Sequence, residues 1–501
     1  MIDSNRGISR ALWLLGALLL VAAVRLHGLA AASLPDYDSV RNWQIVQEVA
    51  HGNLRNLFHH GSPGFSLLYA PVAWLTTDFH VFQHLNALVA VAAVGWLTHF
   101  VSKAAKLAPY ESALLTLFVG TSVFLTFSGR DFTMGSWSLV AFTGLLQAYY
   151  QRLHQATPRS LLRAAVWVTL GLCINYKFLL TLPILVVFEL LQQDGLLFQP
   201  RNLLRVVGIM AVPYVVLAVV GWLAGLQWYR WLGVYYNIMR PGAPNAAGRL
   251  GITQTHPDAF YYLKYIRDFE SPLMLLAVFA VPILWWQTLF RQLKRPNIIR
   301  YLAIWSYCFL AGMSLLLKAP RGLLLVYGLL YVLAFLSLRR VLDRRWWALA
   351  VVVGVAVAFN LRRIQQEVYA YTPSNYAKVA AWLQNHKQPV VASTVGLGVA
   401  PYVAPSLVTV ITDEQQLATL RQQGDKYVLL DGYWRVTNVR NFETLRQLPA
   451  VASWSEPMLT APLLFLEHSE YTSLGYEETL ALQRAASRDS LQLRLLSIGS
   501  K

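Results

Sequence analysis

The chain has 501 residues, of which 56% are hydrophobic and only 13% are charged, and its mean hydropathy is +0.42. Soluble domains carry about 25% charged residues, so this composition excludes a soluble protein and indicates an integral membrane protein. The net charge of +17 does not predict a nucleic-acid partner, because the basic residues cluster in short loops between apolar runs. Cys173 and Cys308 lie inside apolar segments and indicate neither a disulfide framework nor a thiolate metal site.

Apolar stretches of membrane length follow one another along the first part of the chain. A bilayer is spanned by about 20 residues, and counting such windows predicts about eleven spans. They lie near residues 11–31, 81–101, 111–128, 136–151, 162–176, 178–193, 204–224, 271–290, 300–317, 321–338 and 345–360. The apolar run at 65–75 is too short to cross and predicts a re-entrant or interfacial helix. The fold class is therefore mainly α, a polytopic transmembrane helical bundle.

Basic residues alternate between the connecting loops and so predict the orientation of the chain. Pairs such as Lys103 and Lys106, or Arg201 and Arg205, fall in every second loop, which the positive-inside bias places in the cytoplasm. The loops at 32–80, 129–135, 175–177, 225–270 and 318–321 are then external, as is everything after residue 360. We expect a bacterial inner-membrane protein whose site and C-terminal region face the periplasm or the extracellular side.

The chain changes character after residue 360. Residues 361–501 contain no apolar run of membrane length, and short strand-like strings at 389–393, 408–411 and 427–430 alternate with helical ones. This pattern predicts a small soluble α/β domain on the external side. The predicted organisation is thus a transmembrane catalytic domain at 1–360 and an extracytoplasmic domain at 361–501.

The first external loop begins with an amphipathic segment. Val40, Trp43 and Val46 recur at helical spacing, which predicts a helix lying along the membrane interface with Asp38 at its N-terminus. Asp is a common N-cap residue, so capping alone is one interpretation of the acids at this position.

The same loop offers the residues that general acid–base chemistry requires. Asp36 and Asp38 are two close carboxylates, and His59 and His60 follow them at the predicted membrane boundary. A carboxylate there could deprotonate a hydroxyl or amine acceptor as it attacks an anomeric carbon. Paired carboxylates or histidines could instead hold a divalent cation on a phosphate leaving group, so a metal cofactor is left open.

Two further external turns place charges at the ends of apolar runs. Arg130 and Asp131 follow the third predicted span, and Lys177 lies between two apolar runs against the charge bias. Snorkelling of these side chains would explain them without a site. The functional interpretation is a second carboxylate at Asp131 beside a guanidinium at Arg130 that clamps a phosphate.

The late external loops add more cations. The aromatic-rich loop at 225–270 contains Arg240, and Lys318 and Arg321 share one short turn. Interfacial aromatic belts account for most of the rings in the long loop. Convergent cations at the external rim indicate an anionic ligand embedded in the membrane.

Several common catalytic motifs are absent from the sequence. There is no P-loop, no Gly-x-Ser-x-Gly elbow, no Cys-x-x-Cys and no His-Glu-x-x-His. Sugar-nucleotide donors are cytoplasmic, so an external transfer site favours a polyprenyl-phosphate carrier.

The layout resembles the polytopic glycosyltransferases of the GT-C fold, especially the branch similar to protein O-mannosyltransferases and lipid A aminoarabinose transferases. The pieces that match are Arg25-Leu26 at the end of the first span, Asp38 with Gly52 after it, and His60-Gly61-Ser62-Pro63. The resemblance covers about residues 10 to 340. Within it, Lys177 looks like the family's lysine after the fifth span. Lys318 to Arg321 is similar to its Lys-x-x-Arg.

The resemblance also has departures. Ser39 stands where the family usually has Glu, Ser62-Pro63-Gly64 replaces Pro-Pro-Leu, and Asp131 directly follows Arg130 rather than lying some residues later. The resemblance implies that Asp38 is the catalytic aspartate. A paired-acid role then passes to Asp36.

Together these observations predict an inverting membrane glycosyltransferase that moves a sugar from a polyprenyl-phosphate donor to an extracytoplasmic lipid, glycan or protein. Asp38 would act as general base, with Asp36 or Asp131 assisting. The expected substrate-binding residues are Arg130, Lys177, Arg240, Lys318, Arg321, His59 and His60. A transporter or flippase of lipid-linked saccharides, or an assembly subunit with a degenerate site, are the alternatives.

Overall fold

The computed structural model describes residues 2–34, 36–192, 194–233, 258–291, 297–316, 318–343, 345–386, 391–394, 396–403, 408–422, 427–438, 442–472, 474–488 and 492–498. Within these ranges the protein is mainly helical, with one small sheet near the C-terminus. The helices before the sheet are α1 (Ile2–Leu26), α2 (Tyr37–Ala50), α3 (Gly64–Ala73), α4 (Phe79–Ala104), α5 (Pro109–Gly120), α6 (Val123–Gly129), α7 (Gly135–His154), α8 (Pro158–Ile174), α9 (Thr181–Gln192), α10 (Pro200–Leu223), α11 (Tyr261–Phe269), α12 (Leu273–Leu284), α13 (Ile298–Ser314), α14 (Leu324–Val341), α15 (Trp346–Glu367) and α16 (Tyr376–Asn385).

Every predicted apolar stretch coincides with a helix, and the third coincides with the pair α5 and α6. Among the described residues, five helices are long and apolar enough to cross a membrane, or six if the bent pair α5 and α6 is one span. The fold class is confirmed, whereas the number of about eleven crossings stays a prediction.

The distribution of apolar side chains shows that the bundle is an integral membrane protein. In α10, Leu204, Trp222 and Leu223 are exposed on the outside of the bundle, and none of this helix's apolar window is buried within the protein. Exposing this apolar surface to water would cost a large free energy, so lipid must cover it. The span that contains α14 is the opposite case, because 89% of its window is buried at the centre of the bundle.

The break between α5 and α6 is held by two buried charged side chains. The two helices are bent by 66°, which leaves backbone groups at the break without intrahelical partners. Glu270 accepts hydrogen bonds from the backbone N–H groups of Val123 (3.1 Å) and Phe124 (2.8 Å), so it caps α6. Arg25 donates to the backbone carbonyl of Leu125 at 2.5 Å. The redirected α6 ends at Gly129 and delivers the following residues to one end of the bundle.

The first loop forms the two predicted short helices, α2 and α3. Val40, Trp43 and Val46 are buried along one face of α2, which confirms its amphipathic pattern. A Cβ at Gly64, the first residue of α3, would lie 2.5 Å from the backbone oxygen of Cys173, so only glycine permits this close packing of α3 on α8. The first loop is therefore fixed to the bundle.

The C-terminal region contains a five-stranded sheet. Its strands are β1 (Val391–Thr394), β2 (Val408–Ile411), β3 (Tyr427–Leu430), β4 (Ala450–Ser455) and β5 (Gln492–Ser497), in the order β2-β1-β3-β5-β4. Strand β1 pairs in parallel with β2 and β3, whereas β5 pairs antiparallel with β3 and β4. The accompanying helices are α17 (Gln416–Gln422), α18 (Tyr433–Thr437), α19 (Pro462–Glu467), α20 (Ser469–Thr472) and α21 (Tyr476–Arg488).

The connection between the bundle and the sheet region begins as helix. Helix α15 runs through residue 360, where the domain boundary is predicted, and ends at Glu367. Ala32 of the first loop then forms an isolated antiparallel bridge with Pro373. The small α/β unit is as expected, and the boundary at residue 360 stays a prediction.

Candidate active site

A cavity of about 180 Å³ lies where the first loop, the start of α7 and the C-terminal segment meet. Its charged and polar lining includes Asp36, Asp38, Asn42, His60, Asn175, Lys177, Arg321 and Glu467. Five of the residues expected from the sequence therefore line one small volume. A larger cavity of about 1140 Å³, lined by Glu111, Arg339 and Arg340 among others, lies at the opposite end of the bundle and contains none of them.

Asp38 is the more exposed of the two first-loop aspartates that line the cavity. Its side chain is 37% exposed, and its Oδ1 atom lies 3.9 Å from Nδ1 of His60. It occupies the first turn of α2, where the helix dipole favours a negative charge. Asp38 is thus placed to act on a molecule that enters the cavity.

Asp36, two residues earlier, is buried in a network of hydrogen bonds. Its side chain is only 4% exposed, and Oδ1 caps α2 by accepting from the backbone N–H of Asp38 at 3.2 Å. The same oxygen accepts from the hydroxyl of Tyr433 at 2.6 Å and lies 3.2 Å from Nε2 of His468. Burial tends to raise the pKa of Asp36, but His468, Arg321 and Tyr433 together hold it well below its usual range.

Asp131 lies beside the cavity lining and is held from three sides. Its Oδ2 accepts from the hydroxyl of Ser39 at 2.7 Å, and its Oδ1 accepts from the backbone N–H of Phe132 at 2.8 Å. Asn86 donates to its backbone carbonyl at 2.7 Å. Burial and the nearby charge of Asp36 raise the pKa of Asp131 to about 8, so this carboxyl is largely protonated at neutral pH.

Two predicted cations from distant turns meet at the cavity. Nζ of Lys177 donates to the backbone carbonyl of Arg321 at 3.1 Å, which joins the Tyr176–Leu180 turn to the Pro320–Leu323 turn. Asn175 orients the lysine turn by accepting from the backbone N–H of Lys177 at 3.0 Å. Lys177 and Arg321 are therefore suited to bind an anion in the cavity.

Arg130 has a different environment from the one expected for a phosphate ligand. It is 6% exposed, and its guanidinium donates to the backbone carbonyls of Arg25 (2.9 Å) and His27 (2.6 Å) and to the hydroxyl of Thr372 (3.2 Å). The guanidinium also lies 5.1 Å from the ring centre of Tyr369. These contacts fasten the end of α1 to the start of the C-terminal region.

Of the remaining predicted binding residues, His60 is part of the lining, whereas Lys318 and His59 lie outside it. Lys318 is 1% exposed, and its Nζ donates to the backbone carbonyl of Leu316 at 3.4 Å. The rings of His59 and His60 meet edge to face with centres 4.7 Å apart, and burial lowers the pKa of each to about 4. Arg240 lies outside the residues that the structure describes.

Three site residues come from a region that the sequence did not assign to the site. Glu467 lines the cavity, and burial raises its pKa to about 7. His468 and Tyr433 contact Asp36. The signal in the sequence is weak: an acid and a histidine directly follow the apolar run Leu463–Leu466, which is too short to span a membrane.

A metal ion was left open by the sequence. In the part of the chain that the structure describes, no group of three or more His, Cys, Asp or Glu side chains is arranged to hold one.

The arrangement of helices is that of the GT-C membrane glycosyltransferases. ArnT, the aminoarabinose transferase of Cupriavidus metallidurans, is similar in its structure bound to undecaprenyl phosphate, with a TM-score of 0.57, 12% identity, and 88% of this chain and 96% of the ArnT chain covered. Its apo structure gives a TM-score of 0.53 and 13% identity, covering 89% and 96% of the two chains.

A third solved structure, the Archaeoglobus fulgidus oligosaccharyltransferase in complex with zinc and sulfate, gives a TM-score of 0.50 at 10% identity, covering 84% of this chain and 68% of that one. No protein-family model and no curated protein matches the sequence. At these identities the similarity establishes the fold alone, and it confirms the fold expected from the resemblance.

Proposed function

We propose that this protein is a glycosyltransferase that moves a sugar from a polyprenyl-phosphate carrier to an acceptor at the external face of a bacterial inner membrane. The observation that carries the proposal is the cavity in which the partly exposed carboxylate of Asp38 shares one lining with Lys177 and Arg321. A carboxylate near two cations matches the needs of a transfer in which one group gains a proton and another gains negative charge.

The reaction would use the two charge types in one step. As the acceptor hydroxyl or amine attacks the anomeric carbon, Asp38 takes its proton and the new glycosidic bond forms. The bond between the anomeric carbon and the phosphate oxygen breaks, and its electron pair stays on the phosphate. Lys177 and Arg321 stabilise that charge. Attack on the face opposite the leaving phosphate would invert the anomeric configuration.

The roles of the other acids follow from their environments. Asp36 is already bonded through Oδ1 to three donors, so it is suited to hold the loop rather than to accept the substrate's proton. Asp131, with its raised pKa, could donate a hydrogen bond to the acceptor or sugar. The lipid tail of the carrier would lie in the bilayer around the helices.

The decisive experiment incubates purified protein in liposomes with a panel of radiolabelled polyprenyl-phosphate sugars and candidate lipid, glycan and protein acceptors. The expected result is labelled acceptor together with released polyprenyl phosphate. Movement of the intact lipid-linked sugar across the bilayer, with no release of carrier, would instead support the flippase alternative and contradict the transferase.

A further inference from the structure

The short helix α19 packs against the bundle and contributes Glu467 to the cavity lining. Leu463, Leu464, Phe465 and Leu466 are all buried. Ser469 donates to the backbone carbonyl of Lys318 at 2.5 Å, and Tyr261 donates to the backbone carbonyl of Leu466 at 3.2 Å. The C-terminal end of the segment is thus fixed to the turn that carries Arg321 and to α11, and it forms one side of the cavity.

The hydrogen bonds of His468 define where its protons lie. Nδ1 is 2.8 Å from the backbone carbonyl of Leu464, and because a carbonyl only accepts, Nδ1 must carry a proton. Nε2 faces Oδ1 of Asp36 at 3.2 Å and the oxygen of Tyr433 at 2.7 Å. The single hydroxyl proton of Tyr433 serves Asp36, so Nε2 needs a proton of its own.

Oδ1 of Asp36, Nε2 of His468 and the oxygen of Tyr433 therefore form a closed triangle. With both ring nitrogens protonated, His468 is an imidazolium that faces the Asp36 carboxylate, and Tyr433 bridges the two. Burial lowers the pKa of His468, but Asp36 outweighs this and the net pKa is raised. An ion pair that is buried on both sides holds its members firmly, because removing one leaves the other charge without compensation.

This triangle reaches Asp38 by a single further bond. The oxygen of Asp36 that accepts from Tyr433 and His468 also accepts from the backbone N–H of Asp38. The side chain of Asp38 leaves the backbone directly after that N–H. The direction of the Asp38 side chain is therefore tied to Tyr433 and His468, which lie 397 and 432 residues after Asp36 in the chain.

We infer that His468 and Tyr433 are positioning residues for the transfer reaction: they hold Asp36, and through it the first turn of α2, so that Asp38 faces the cavity. The inference rests on the proposed function for its kinetic consequence. It makes the C-terminal region an integral part of the active site.

The test compares three full-length variants, Tyr433→Phe, His468→Gln and the double variant Asp36→Asn with His468→Gln. His468→Gln should lower kcat on the order of 10²-fold, because small displacements of a reacting group have effects of this size. Donor KM should stay within about threefold, because the cations of the cavity are untouched. Tyr433→Phe, which keeps the ion pair, should lower kcat roughly tenfold.

The double variant provides the rescue. Asn caps a helix about as well as Asp, and its amide can bond to Gln without leaving a buried charge. The double variant should therefore have a kcat at least about tenfold higher than that of His468→Gln. The inference would be overturned if kcat of the double variant were no higher than that of His468→Gln, or if kcat were unchanged in both single variants. It would also be overturned if donor KM rose while kcat did not fall.

Hydrogen exchange gives a readout that does not need activity. The backbone N–H of Asp38 should exchange faster in His468→Gln and Tyr433→Phe than in the wild type, and unchanged exchange would overturn the inference. If the wild type transfers no sugar while this exchange still accelerates, the proposed function fails and the positional link stands.

His386→Gln is the matched control. Its Nδ1 bonds to the backbone carbonyl of Trp382 at 2.8 Å, as that of His468 does to Leu464, but His386 is exposed. Both kcat and the exchange at Asp38 should match the wild type in this variant. A loss as large as that of His468→Gln would show that any such histidine change disturbs the protein, and would overturn the assignment.

Discussion

Two of the walls of the cavity differ in origin. The first-loop wall, Asp36 to His60, presents Asp38 from the water-facing side of an amphipathic helix. The C-terminal wall, formed by Tyr433, Glu467 and His468, presents Glu467 from the end of an almost wholly buried apolar helix. The first wall carries the accessible carboxylate and the second fixes its direction through Asp36. Reactivity and rigidity are thus supplied by regions far apart in the sequence.

The largest expected effect comes from removing the carboxylate of Asp38 from the first-loop wall. Asp38→Asn should lower the rate of sugar transfer by about 10²- to 10⁴-fold, because it removes the general base while the helix remains intact. The assay is the release of carrier phosphate by purified protein. Asp78→Asn is the matched control, since Asp78 caps α4 through the N–H of His80 and Asn caps equally well. Transfer at the wild-type rate in Asp38→Asn would remove Asp38 from the mechanism.

The cations between the two walls should have the next largest effect. Lys177→Gln or Arg321→Gln should each lower kcat/KM for the donor roughly tenfold to hundredfold, because a hydrogen bond to a charged group contributes about 1.5–3 kcal/mol. Arg321→Lys should be intermediate, since it keeps the charge but loses the planar fork.

Lys264→Gln serves as the control for these cation variants, because Lys264 pairs with Asp258 at 3.2 Å and is absent from the cavity lining. An unchanged kcat/KM for the donor in both variants would contradict a role of these cations in holding the donor phosphate.

Glu467 tests the C-terminal wall through pH. Because its pKa is raised to about 7, it gains a negative charge beside Lys177 and Arg321 as the pH rises from 6 to 8. That charge competes with an anionic donor, so wild-type donor KM should rise roughly fivefold over this range. Glu467→Gln should show a much smaller rise, and an identical pH profile in the two proteins would contradict the role of Glu467.

The same carboxyl makes a prediction for stability. A folded-state pKa above the unfolded value means that the folded protein binds the extra proton, so stability falls as pH rises from the ordinary pKa of Glu to about 7. The thermal midpoint of Glu467→Gln, measured in detergent, should fall less over this window than that of the wild type.

Arg130 should have the smallest effect on transfer. Its donors are engaged by the end of α1 and by Thr372, so Arg130→Gln should lower the free energy of unfolding by roughly 1–3 kcal/mol. Transfer below the unfolding transition should stay within about threefold of the wild type. A large rise in donor KM with unchanged thermal stability would instead support the phosphate clamp predicted from the sequence.

Local pattern was sufficient for most of the secondary structure. The apolar stretches gave the positions of the bundle helices, and β2 and β3 coincide with two predicted strands. Strands β4 and β5 were not anticipated. Most residues of β4 are exposed and partly polar, so they lack the apolar run that marks a buried strand.

The sequence by itself determined that this protein is a membrane bundle with an amphipathic helix, close acids and cations at one end, because hydropathy and spacing encode burial in lipid directly. Only the tertiary structure decided that Asp38 faces the cavity while Asp36 is buried, and that Arg321 lines the cavity while Arg130 does not. The physical reason is that the direction of a side chain depends on its partners, and these partners, Tyr433, His468 and Thr372, lie hundreds of residues away along the chain.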